Sequence, residues 1–251
     1  MARQKGIIQL EGTLGEINFY ISKGKPLARK AGGGFTAKAI KNSPTMVRVR
    51  ENNTEFGNCS RIKKLFKLAL HPFLGAYKDV TLHGRMMQLL QQIKSYDAVS
   101  ERGKRTVGNG IATPMGALLF QNFVFTPKRH HTLLLAGKCS FDWGSFCYTV
   151  TDFDLRLISF PSAATHLEFR LGVLLFNFST LDSKMHLGAP LLLGRDFAGS
   201  AFSLSPEPVP NGSGMRFAFV GVQFYQEVGG ELYPLKEEGA HGLELVGLHQ
   251  G

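Results

Sequence analysis

Apolar and polar positions repeat along this chain with two different periods. Between Ser43 and Leu70 the apolar residues Cys59, Ile62, Leu65, Phe66, Ala69 and Leu70 recur at helical spacing. The same phase puts Lys63, Lys64 and Lys67 on the opposite face. Ser43 is placed to cap this helix, and Pro44 suits its first turn. Phe56 is out of phase with the stripe and Gly57 follows it. That predicts a break between two helices, because Gly weakens a helix interior by about 1 kcal/mol against Ala. His71-Pro72 predicts the end of the run, since Pro disfavours helix in the residue before it. A second stripe, Val80, His83, Met86, Met87, Leu90 and Ile93, predicts a helix within Asp79–Tyr96. Two amphipathic helices with a short connection predict a helical hairpin.

The other period is two. Ile17, Phe19 and Ile21 alternate with Asn18, Tyr20 and Ser22, and after the turn at Ser22–Pro26 the chain returns through Leu27–Lys30. This predicts a β-hairpin near the N-terminus. From about Met115 the texture is that of strands: Leu118–Phe125, Thr132–Cys139, Phe146–Phe153, Leu155–Phe160, His166–Phe178, Pro190–Leu193, Met215–Tyr225, Leu232–Leu235 and Leu243–Leu248. Gly229-Gly230 suits a tight turn between two of them. Pro206, Pro208, Pro210 and Gly212-Ser213-Gly214 read as an exposed connector. Ser100–Gly110 is polar, basic and Gly-containing, and reads as a surface boundary. The expected fold class is therefore α+β. Residues 1–112 form a basic region with a β-hairpin and helical hairpin, and residues 113–251 form an antiparallel β-sandwich.

Charge sharpens that division. The 251 residues carry a net charge of +10, but residues 1–110 hold 20 Lys and Arg against 7 Asp and Glu, while residues 111–251 hold 9 against 12. A basic half facing an anionic partner is one reading of such asymmetry. The 43% hydrophobic content and 20 Phe are ample for a packed core. Cys59, Cys139 and Cys147 make an odd set with no disulfide framework. The apolar run Ile7-Ile8-Gln9-Leu10 is too short for a secretory signal, and no window resembles a membrane span. A cytoplasmic protein is expected.

The opening GIIQLEGTLGEINFY…GKPLARKAGG, with RENNTEFG downstream, and the closing GVQFYQEVGGELYPLKEEGAHGLELV together resemble a family of Bacteroidota proteins of about this length. No activity, cofactor or catalytic residue comes with that family. The resemblance implies only that the two halves belong to one protein with a β-rich C-terminal part.

Candidate chemistry is sparse. Asp152 and Asp154 are spaced to share a strand face, as metal ligands or an acid–base pair would, but no third ligand is placed by spacing. His130, His131, Cys139, Cys147 and His166 lack the short spacings of a zinc site. Cys139 and Cys147 read as core residues, with mutual facing an alternative. Gly32-Gly33-Gly34 is not a phosphate loop, and no nucleophile elbow or metalloprotease motif occurs. No catalytic, metal or cofactor site is therefore expected. The strongest lead is a basic cluster for an anionic partner: Arg48, Arg50, Arg61, Lys63, Lys64, Lys67, Arg102, Lys104 and Arg105. A solvated helix face is the competing explanation. Phe19, Tyr20 and Phe35 are the nearest aromatics for base stacking. The expected function is a non-catalytic structural or assembly protein that binds other chains or copies of itself. Nucleic-acid binding by the basic half is the alternative.

Overall fold

A computed structural model describes residues 2–6, 8–32, 36–75, 79–129 and 136–250. It divides into two compact units, Met1–Glu51 and Asn52–Gly251. The chain is a mixture of helices and antiparallel sheets, as an α+β composition requires.

In the first unit, β1 (Ala2–Arg3), β2 (Gly12–Leu14), β3 (Ile17–Ser22) and β4 (Lys25–Lys30) form an antiparallel sheet in the order β1-β4-β3-β2. The expected hairpin is β3–β4. Its two-residue turn has Lys23 at φ 51° and Gly24 at φ 71°, the left-handed pair whose twist matches the flanking strands. Helix α1 (Ala37–Asn42) follows, with Thr36 Oγ1 accepting from the Ala39 N–H at 3.1 Å. Gly33, Gly34 and Phe35 lie outside the described residues.

Helix α2 (Val47–Ala69) begins in the first unit and continues into the second. A short 3-10 turn, Pro44–Met46, leads into it, so Ser43 and Pro44 start that turn rather than the α-helix. The break expected at Gly57 does not exist. Phe56 is out of phase because it sits on the outer face, 56% exposed. Buried Cys59, Ile62 and Phe66 anchor the helix, and such packing outweighs the propensity cost of one glycine. α3 (His71–Leu74) accommodates Pro72 in its first turn, where no N–H partner is needed. α4 (Leu82–Ser95) buries Met86, Met87, Leu90 and Ile93, whereas Val80 precedes it and is exposed.

α5 (Val107–Ile111) and α6 (Pro114–Gln121) occupy the place of two sequence expectations. The strand expected at Leu118–Phe125 is incorrect. Thr113 Oγ1 caps α6 by accepting from the Gly116 N–H at 3.1 Å, and Pro114 fills the first turn. Start signals of this kind outweigh the strand character of Leu118–Phe120. The backbones of α4, α5 and α6 approach closely: a Cβ on Gly110 would lie 2.0 Å from the Ile93 carbonyl oxygen. Residues 112 and 113, where the boundary between the two regions was expected, lie in the turn between α5 and α6.

The central sheet is built on two long strands, β7 (His166–Phe176) and β11 (Met215–Val228), paired antiparallel from Met215↔Phe176 to Tyr225↔His166. β8 (Ser183–Leu187) and β9 (Leu191–Gly194) share the outer edge of β7. β12 (Glu231–Pro234) and β13 (His241–His249) share the outer edge of β11. A second sheet joins β5 (Lys138–Asp142), β6 (Cys147–Thr151) and β10 (Phe202–Leu204) in the order β10-β6-β5. Strand periodicity divides the core. Leu174, Phe176, Phe217 and Phe219 pack with Phe66, Ile93 and Phe120 of the helices. Leu167, Phe169, Val220, Val222 and Phe224 pack with Tyr148 and Val150 of the second sheet. Leu155–Phe160, expected as a strand, is instead a 3-10 turn at Leu155–Leu157. Residues 132–135 of another expected strand lie outside the described residues. Among the described residues, no helix is long and apolar enough to cross a membrane.

Candidate interaction surfaces

The nine cations of the basic cluster have different surroundings. Arg48 belongs to the first unit and pairs with Glu51 at 3.0 Å. Arg50 Nη1 donates to the Ile40 and Ser43 carbonyls at 2.7 and 2.9 Å, satisfying the C-terminal end of α1. Lys63 is the clearest correction. It is 6% exposed rather than on the outer face, and its Nζ lies 3.0 Å from His83 Nδ1. Burial, helped by the nearby Lys67 charge, holds its pKa below the usual lysine value. Lys63 follows Glu55 and Cys59 at i+4 spacing, so all three share the face turned toward α4. Arg61, Lys64 and Lys67 are exposed on α2. Replacing both Lys64 and Lys67 by Gln is expected to change stability by no more than about 1 kcal/mol in total. Urea unfolding checks this; a larger loss would place those side chains in packed contacts.

Arg102, Lys104 and Arg105 sit in the connection between α4 and α5. Arg102 Nη2 donates to Asn52 Oδ1 at 3.3 Å, and Lys104 pairs with Glu101 at 3.0 Å. Arg105 does something the sequence did not indicate. Its Nε and Nη2 donate to the fully buried Glu55 carboxylate at 2.8 and 2.9 Å. Glu55 also accepts from Lys94 Nζ at 2.6 Å and from the Gly103 N–H at 2.7 Å. Buried Asp97 accepts from the backbone N–H groups of Val99, Ser100 and Thr106. The segment read as a surface boundary is held by two buried carboxylates. The available sequence signal was Glu55 itself, an acidic residue in phase with the apolar stripe.

The N-terminal sheet has two unlike faces. Register and alternation place Leu14, Ile17, Phe19, Ile21, Pro26 and Ala28 on one of them, together with Lys30 opposite Ile17. Arg3, Asn18, Tyr20, Lys25, Leu27 and Arg29 share the other, with the Arg29 guanidinium 5.4 Å from the centre of the Tyr20 ring. On the apolar face Leu14 is 71%, Ile17 47% and Ile21 50% exposed. Among the described residues of Met1–Glu51, not one is buried. The sheet is paired through its backbone but has no core of its own.

The central sheet carries a small polar cleft of about 110 Å³ between β7, β11 and α3. The ring of Phe73 lies over Gly172 and Gly221, where a Cβ would come within 2.6 and 2.3 Å of it. Beyond Phe73 the same face of the sheet turns polar. Tyr225 Oη donates to Glu168 Oε2 at 2.8 Å, and Arg170 Nε lies 3.4 Å from Glu168 Oε1. Burial, then the Glu168 contact, pushes the Tyr225 hydroxyl up to about 12. Tyr225 therefore stays protonated at neutral pH as a donor to Glu168.

The remaining candidates separate. Asp152 pairs with Lys138 at 2.8 Å, while Asp154 caps the 3-10 turn and pairs with Arg156 at 2.8 Å. Cys139 is opposite Val150 and Cys147 opposite Asp142, which puts the two thiols on opposite faces of the second sheet. His166 Nδ1 lies 3.0 Å from Thr165 Oγ1, and His130 and His131 lie outside the described residues. Among the described residues, no three of His, Cys, Asp and Glu form a group that could hold a metal ion. Comparison with protein-family models, curated proteins and solved structures finds no match.

Proposed function

We propose that this chain is a non-catalytic structural or assembly protein that binds other protein chains through its N-terminal sheet. The carrying observation is the apolar face of Leu14, Ile17, Phe19 and Ile21 on an ordered sheet with no buried side chain among its described residues. A small sheet gains stability by covering its apolar face, and exposed contiguous apolar surface marks interaction sites. In this reading the two sheets of Asn52–Gly251 act as a β-sandwich platform backed by helices. Replacing Ile17 and Ile21 by Lys puts two charges on that face without touching the backbone ladder. Proteins retained by the immobilised full chain, identified by mass spectrometry, should be lost with this variant while its melting curve stays at the wild-type position. Equal retention by both, or none by the wild type, would refute the proposal.

A second reading, nucleic-acid binding, is favoured by the opposite face of the same sheet. Met1–Glu51 carries 10 Lys and Arg against 3 acidic residues, and Tyr20 there stacks with Arg29. This reading requires retardation of RNA or DNA that weakens steeply between roughly 50 and 200 mM salt.

A further inference from the structure

The described surface also offers a complement to the basic, apolar N-terminal sheet. Strand β11 outlasts its pairing with β7 and forms a hairpin with β12, from Tyr225↔Pro234 to Val228↔Glu231. Gly229 and Gly230, at φ 63° and 85°, make its two-residue turn. Register places Gln226, Val228, Glu231 and Tyr233 on one face, where Val228 is 56% and Tyr233 55% exposed. Glu231 is on this face, Glu227 is on the opposite face with Leu232, and Glu237 follows the strand, against the single Lys236. No pairing partner is found for the outer edge of β12 among the described residues, and such an edge is a template for adding strands.

We infer that the acidic β11–β12 hairpin of one copy is the partner of the basic N-terminal sheet of another. The inference rests on the protein-binding reading of that sheet and names its occupant. Charge decides between the possible self-contacts. Two copies meeting through their N-terminal units would each bring the 10 cations and 3 acids of Met1–Glu51, a like-charge encounter. Unit to hairpin instead joins opposite charges, with Lys30 on the apolar face opposite Ile17 and Lys23 in the β3–β4 turn. Both surfaces have exposed apolar side chains, which supply affinity, and the charges select the partner. Because the two patches differ, the contact is heterologous and propagates from copy to copy as a ring or filament.

Light scattering and sedimentation of the full chain at low salt test this. The wild type should gain mass with concentration and lose it as salt rises. The Glu227→Lys/Glu231→Lys variant and the Lys23→Glu/Lys30→Glu variant should each be monomeric, with circular dichroism and melting like the wild type. An equal mixture of the two should regain association, because each then meets an opposite charge. A wild type that is monomeric at every concentration, or a mixture that stays monomeric while the wild type associates, would overturn the inference. If the chain is monomeric but still retains another protein in an Ile17- and Ile21-dependent manner, the hairpin is not the partner and the sheet-binding reading survives. Loss of both results removes both proposals.

Discussion

Phe66→Ala is expected to lower stability by about 3–5 kcal/mol. Phe66 is 1% exposed and lies between the helices and the central sheet. Its ring meets Phe217 at 5.0 Å and Phe120 at 5.3 Å, edge to face, and Phe176 at 5.4 Å. Truncation removes the transfer energy of the ring and also leaves a cavity, because neighbours on rigid strands cannot close in. Urea unfolding followed by circular dichroism measures the loss. A change below about 1 kcal/mol would mean the site collapses freely, contrary to a core held by two long strands.

Glu55→Ala is expected to cost a similar amount, about 3–5 kcal/mol, for a different reason. The carboxylate is fully buried and accepts from Arg105, Lys94 and the Gly103 backbone. Removing it leaves two cations in a poorly solvated site without the carboxylate they share. The same group predicts a pH dependence. The Arg105 contact, joined by Lys94 and Gly103 against the opposing effect of burial, lowers the Glu55 pKa to about 2. A carboxyl that is more acidic in the folded state binds fewer protons there than in the unfolded chain. Its stabilisation is therefore complete above its ordinary value of 4.5 and is lost as pH falls toward 2. Asp97 acts in the same direction: burial alone would raise its pKa, but the Thr106 and Ser100 N–H groups hold it below the ordinary value. Unfolding midpoints of the wild type should fall over this window, and those of Glu55→Ala should fall less. Identical slopes would show that the folded state does not stabilise the ionised Glu55.

How each segment could be read followed from the range of its interactions. The β3–β4 turn and the Gly229-Gly230 turn were legible because a two-residue hairpin depends on local backbone geometry. The stripe Cys59, Ile62, Phe66 and Leu70 was legible because burying one face imposes helical spacing. α6 was misread although Thr113-Pro114 is a strong start signal, because the Leu-Phe run after it suits a strand as well. β8 and β10 were missed: short edge strands are defined by the neighbour they pair with. The basic cluster shows the limit most clearly. Sequence counts Arg105, Lys63 and Lys64 as equal charges. Only the fold brings Glu55, 50 positions away, to Arg105, and His83, 20 positions away, to Lys63, while Lys64 remains in solvent. Composition and periodicity determined an α+β chain with a basic N-terminal side, because these are sums and local repeats. Which charges are neutralised, and which apolar face stays open, was decided by tertiary structure, because burial depends on residues far apart in the chain.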